Sequence, residues 1–145
     1  MTFSGINYLA VIVAAIVGWA IGAAWYMGLS KHWIDAHGKT LEQVKQEGEA
    51  RKGTPAAWLP FVLALVAEIV MAWVLAGLMG HLGTGQVTVW NGIVSAAFVW
   101  LGFVATTIVV NNMFSFRRTK LSVIDGGHWL AVLVVMGIVI GAFGV

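Results

Sequence analysis

Cysteine is absent from the 145 residues, which excludes disulfides, thiol nucleophiles and Cys-based metal sites. Charge is scarce too: Asp, Glu, Lys and Arg make up 10% of the chain, against about 25% in an ordinary soluble domain. Lysine and arginine are missing altogether from both tails and from the connector GTGQVT at 83–88. The start, MTFSGIN, has no basic residue, and the apolar run behind it is longer than the roughly 7–15 residues of a signal-peptide core. The first apolar segment is therefore expected to stay as a span rather than be cleaved.

What fills the chain instead is apolar. Hydrophobic residues reach 60%, and the mean hydropathy is +0.90, which together place the protein in a membrane. Four apolar runs, at 5–29, 58–82, 89–110 and 122–145, are each near or above the ~20 residues that cross a hydrocarbon core at about 1.5 Å per residue. Backbone groups in lipid must be satisfied within their own segment, so each run is expected to be helical. The expected fold class is all-α: an integral membrane bundle of four transmembrane helices forming one domain over 1–145.

The few cations are informatively placed. Lys31, Lys39, Lys45, Arg51 and Lys52 lie between the first two spans, and Arg117, Arg118 and Lys120 lie between the last two. Positive loops stay on the cytoplasmic side, so both loops are expected there and both termini outside. Short cytoplasmic loops of membrane proteins are basic anyway, so no nucleic-acid partner is implied. The longer loop, 30–57, is too short and too polar to form a domain of its own. Thr40 and Gln43 have the spacing of a capping box, which predicts one short surface helix with Leu41 and Val44 as an apolar edge. Gly53-Thr54-Pro55 ends that segment, and Trp58 marks re-entry at the interface.

Asn7 and Gly18 are spaced as Asn91 and Gly102 are, and Trp58-Leu59 recurs as Trp129-Leu130. These coincidences fit a 2+2 pseudo-repeat about an axis along the membrane normal, an arrangement used by some transporters. Small residues let helices approach closely in lipid. Ala10, Ala14, Gly18 and Gly22 form such a stripe in the first span, and Gly137 and Gly141 do so in the fourth.

Glu68 lies ten residues beyond Trp58, about 15 Å into a core roughly 30 Å thick. A charged side chain at that depth is costly, by roughly 2.5–3.5 kcal/mol on insertion scales. Two roles remain open: a proton or cation site used in transport, or a neutral carboxyl that clamps a neighbouring helix. A second polar group gathers where the third span closes with Asn111 and Asn112 and the fourth opens with Asp125 and His128. Asp125 and His128, three apart, share a helical face. They are candidates to hold a metal, to relay a proton or to bind an anionic headgroup beside Arg117, Arg118 and Lys120, while helix capping accounts for Asp125 equally well. His32 and His37 match no zinc spacing, so neither a metal nor a cofactor is expected. Trp19 and Trp100 fall at mid-depth, where their indole N–H groups need acceptors, and Thr106 and Thr107 are expected to bond back to the preceding turn.

The segments INYLAVIVAAIVGWAIGAAWYMGLSKHW, WLGFVATTIVVNNMF and LSVIDGGHWLAVLVVMGIVIGAF resemble a bacterial family of small four-span membrane proteins, the domain of unknown function 1761. The family's Gly-Ala-x-Trp-Tyr element corresponds to Gly22-Ala23-Ala24-Trp25-Tyr26. Its Thr-Thr, Asn-Asn and Ile-Asp-x-Gly elements correspond to Thr106-Thr107, Asn111-Asn112 and Ile124-Asp125-Gly126-Gly127. Where the family often has Ser-Pro after Trp-Tyr, this chain has Met27-Gly28. The resemblance implies a multi-pass protein of the bacterial inner membrane and no specific activity. It directs attention to Trp25, Tyr26, Asn111, Asn112 and Asp125 at the cytoplasmic ends of the spans.

Three functions fit. The first is a small permease or channel subunit for a solute, ion or proton, working as a homo-oligomer with Glu68 as its internal site. The second is an accessory module that holds membrane lipid or a partner membrane protein. The third, an enzyme at the inner surface, lacks a recognisable nucleophile–base pair or full metal ligand set.

Overall fold

The structure is a computed structural model that describes residues 5–144. Helix α1 (Tyr8–Gly28) starts where Asn7, in an extended conformation, accepts the Ala10 N–H through its side chain at 3.1 Å. It ends at Leu29, which also opens the short helix α2 (Ser30–Ala36), so the chain breaks here without the Ser-Pro that commonly follows Trp-Tyr in the family it resembles. In α3 (Leu41–Arg51) the capping box is complete. Gln43 N–H donates to Thr40 Oγ1 at 3.2 Å, and Thr40 N–H donates to Gln43 Oε1 at 2.8 Å. The loop expected to hold one surface helix thus holds two.

Helix α4 (Pro55–Gly80) begins with proline in its first turn, where a missing N–H costs nothing. Thr88 caps α5 (Val89–Val99), which runs through a π-helical turn at Trp100–Ala105 into α6 (Thr106–Phe114). Together 89–114 form one membrane-crossing length, and α7 (Thr119–Phe143) forms the last. Four helices are long and apolar enough to span a bilayer, and among the described residues no strand occurs.

Helix α7 is the most enclosed of the four, packing on α1, α5 and α4, while α1 also packs on α4. Two backbones meet directly where α5 crosses α7. A Cβ on Gly92 would strike the Gly137 carbonyl, one on Gly137 would strike that of Gly92, and one on Gly141 would strike Thr88. Glycine is required there by space rather than by backbone angle. Four antiparallel crossings put the two loop helices and the 115–118 turn at one end, the basic end, and the 83–88 connector at the other. The main core, with Val11, Ala14, Leu75, Met79, Met136 and Ile140, fills the half away from the basic end. The outer faces expose large side chains such as Phe98 and Phe103, each 74% exposed, an apolar surface suited to a membrane.

Candidate functional site

Glu68 sits midway along α4 and is 2% exposed; His128, in the third turn of α7, is 5% exposed. Both press against α1 at the two places where it lacks a side chain. A Cβ on Gly18 would lie 2.7 Å from Glu68 Oε2, and one on Gly22 would lie 2.8 Å from His128 Nε2. These glycines are one turn apart, about 6 Å along the axis. The stripe read from spacing as a helix-packing face therefore receives, at Gly18 and Gly22, two ionisable side chains. Val132 and Met136 of α7 also face Gly18. Among the described residues Glu68 Oε2 and His128 Nδ1 are buried without a hydrogen-bond partner. Such orphans are rare, because each forgoes the solvation it would have in water.

From His128 a chain of contacts leads to the basic end. Its ring lies 4.8 Å from that of Tyr26 and 4.6 Å from that of Trp129, centre to centre. Tyr26 O–H donates to Asp125 Oδ1 at 2.9 Å. Trp25 lies along Gly127, where a Cβ would come 3.0 Å from its ring, and its N–H donates to the Ile124 carbonyl at 3.2 Å. Asn112 donates to Ser122 Oγ at 3.0 Å, tying α6 to α7, whereas Asn111 is exposed. The π-helical turn places Trp100 so that its N–H donates to the Gly126 carbonyl at 2.8 Å. Trp19 donates to the Phe61 carbonyl at 3.3 Å, and Thr106 bonds back to Gly102 at 2.9 Å.

Six of the seven polar candidates, Glu68, Trp25, Tyr26, Asn112, Asp125 and His128, thus lie on or beside α7 between mid-depth and the basic end. Gly137 and Gly141 stand apart, at the α5 crossing. Arg118 and Lys120 form a separate clasp at the surface. Lys120 Nζ lies 2.7 Å from Asp35 Oδ2, and Arg118 Nη1 donates to the Asp35 carbonyl at 2.7 Å. The Lys120 hydrogen bond, then its charge and that of Arg118, hold the Asp35 carboxyl below the usual carboxylate range.

Asp35, Gly92 and Ser122 were not legible as partners in the sequence. The one available signal was Asp35 itself, a lone acid in the otherwise basic stretch 30–40. Among the described residues no three His, Asp or Glu side chains gather as a metal cage. Chemically, the line offers a carboxyl and an imidazole within a dry interior, joined through aromatic contacts to a second carboxylate nearer the surface. Each of these groups can hold a proton, and together they can lock helices against one another; the hydrogen bond in the line is that of Tyr26 to Asp125.

The family model described as a protein of unknown function (DUF1761) matches residues 9–141. No curated protein and no solved structure matches the chain.

Proposed function

The chain belongs to the DUF1761 family, and we propose that it is a small membrane permease or channel subunit that moves protons, alone or coupled to a small solute. The observation that carries this reading is a pair of buried side chains, Glu68 and His128, each with an unpartnered polar atom and packed one helical turn apart on Gly18 and Gly22. A purely structural acid in a bilayer would be expected to finish with its hydrogen bonds made. Imidazole accepts a proton at one nitrogen and releases it from the other, which suits His128 to relay between the Tyr26–Asp125 pair and Glu68. The half beyond Glu68 is closed by Leu75, Met79, Met136 and Ile140. Glu68 and His128 are both buried, so on this reading the structure is a closed state, and helix movement must expose Glu68 to each side in turn. The basic end faces the cytoplasm by the positive-inside rule, and the working unit is an oligomer, since a single four-helix bundle has little interior to open.

The test is proton entry into phospholipid vesicles holding a trapped pH-sensitive dye, driven by a potassium diffusion potential. Protein-dependent entry should fall at least tenfold in Glu68→Gln while the circular dichroism stays that of the wild type. Entry at the wild-type rate in Glu68→Gln, or no protein-dependent entry at all, leaves Glu68 as an interhelical clamp and ends the proposal.

A further inference from the structure

At the surface of the basic end, a cleft of about 350 Å³ opens between the end of α2 and the turn that precedes α7. His37 and Gly38 form one wall, Ser115, Arg117 and Arg118 the other, and Leu121, 3% exposed, lies at the base. The cleft is separate from the Glu68–His128 line and plays no part in the reading above.

Its charge is unbalanced. Arg118 and Lys120 both converge on Asp35, so two cations share one carboxylate, and Arg117 has no acidic partner among the described ion pairs. The cleft itself is lined by two of these cations, Arg117 and Arg118, and by no acid, which leaves a net positive concave surface whose walls focus the field. His37 is also oriented: its Nδ1 lies 2.9 Å from the Trp33 carbonyl, which only accepts, so Nδ1 carries the proton there. The ring is further held at 4.0 Å from that of Trp33. The rim, in contrast, is apolar. Phe116 is 97% exposed at a φ of 53°, a left-handed angle that a bulky residue adopts at a cost. Phe114 beside it is 82% exposed. Apolar rings held outward next to arginines at a helix end suit the boundary between headgroups and acyl chains, the rings toward the chains and the guanidinium groups toward the headgroups.

From these features we infer that the cleft between α2 and the 115–118 turn binds a phosphate group, with Arg117 as the principal cation and Arg118 as the second. Guanidinium matches phosphate with paired donors, and Arg117 is free to supply them. The phosphate comes from a phospholipid headgroup or from a soluble phosphate, and the two sources are separable by experiment.

Two arms use the purified full-length protein. In the first, native mass spectrometry counts retained phosphatidylglycerol, with diacylglycerol, which has no phosphate, as the comparison. In the second, inorganic phosphate is titrated in detergent and followed by calorimetry. Arg117→Gln should weaken saturable binding tenfold or more in at least one arm. Arg51→Gln, which removes a cation of α3 that does not line the cleft, should leave it unchanged. Retention of phosphatidylglycerol without binding of inorganic phosphate assigns the site to lipid, and the converse assigns it to a soluble phosphate. No saturable binding in either arm, or equal weakening by Arg51→Gln, overturns the inference. Arg117 is exposed and makes no described side-chain contact, so its replacement leaves the fold intact. Proton entry into vesicles is read separately and stays at the wild-type rate in Arg117→Gln, which keeps this test independent of the transport proposal.

Discussion

The crossing of α5 and α7 offers the sharpest stability test, because two substitutions on one helix should have opposite signs. In Gly137→Ala the new methyl would overlap the Gly92 carbonyl oxygen and lie 2.6 Å from its carbonyl carbon. Both atoms are backbone, so no side chain can turn aside, and the helices must part by roughly 1 Å to restore ordinary contact. A gap of about 0.5–1 Å forfeits a quarter to a half of each dispersion contact along the seam. Overpacking of this kind costs about 1–3 kcal/mol. Alanine's better helix propensity returns about 0.5–1 kcal/mol. The net expectation for Gly137→Ala is a loss of up to about 2.5 kcal/mol. Gly126, also on α7, has nothing within 4 Å of an added Cβ, so Gly126→Ala should be neutral or stabilising by up to about 1 kcal/mol. Unfolding in mixed micelles with rising dodecyl sulfate, followed by circular dichroism, gives the midpoints. Gly92→Ala should resemble Gly137→Ala, and the double variant should lose less than the two losses added, since the first separation makes room for the second methyl. A Gly137→Ala midpoint equal to or above that of Gly126→Ala would refute backbone contact at this crossing.

Gly18→Ala should behave differently, since its Cβ would meet only the tips of Glu68 and Met136 and one Val132 methyl. We expect stability within about 1 kcal/mol of wild type but slowed proton entry, and unchanged entry would count against the placement of Glu68. Trp100→Phe removes the bond to the Gly126 carbonyl; a loss of about 0.5–1.5 kcal/mol is expected in the same micelle assay, and no loss would dissociate the π-helical turn from α7. Asp35 gives a pH dependence of definite sign. Its folded carboxyl ionises more readily than an unfolded one because Lys120 and Arg118 hold it. The clasp is therefore complete above about pH 4 and is lost as pH falls through the lowered folded value. Nuclear magnetic resonance titration of Asp35 should show its midpoint rise in Lys120→Gln, and an unmoved midpoint would remove Lys120 as the cause.

Much of the architecture follows from one property that the sequence displays directly. A chain with so little charge and four long apolar runs must put its backbone polar groups into helices, because hydrocarbon offers them no other partner. The Thr40–Gln43 capping box is equally local, since both of its hydrogen bonds close within three residues. The depth of Glu68 follows from counting residues at a fixed helical rise. What counting along one helix leaves open is its rotation against its neighbours. In lipid no hydrophobic gradient tells an apolar helix which face to bury, so nothing in a run such as WLPFVLALVAEIVMAW indicates where the Glu68 side chain points. Only the packed bundle brought Gly18 to Glu68 and Gly22 to His128, set Gly92 against Gly137, and carried Asp35 from the first loop to Lys120. The π-helical turn at Trp100 belongs to the same class, because the acceptor of its indole N–H, the Gly126 carbonyl, lies on another helix.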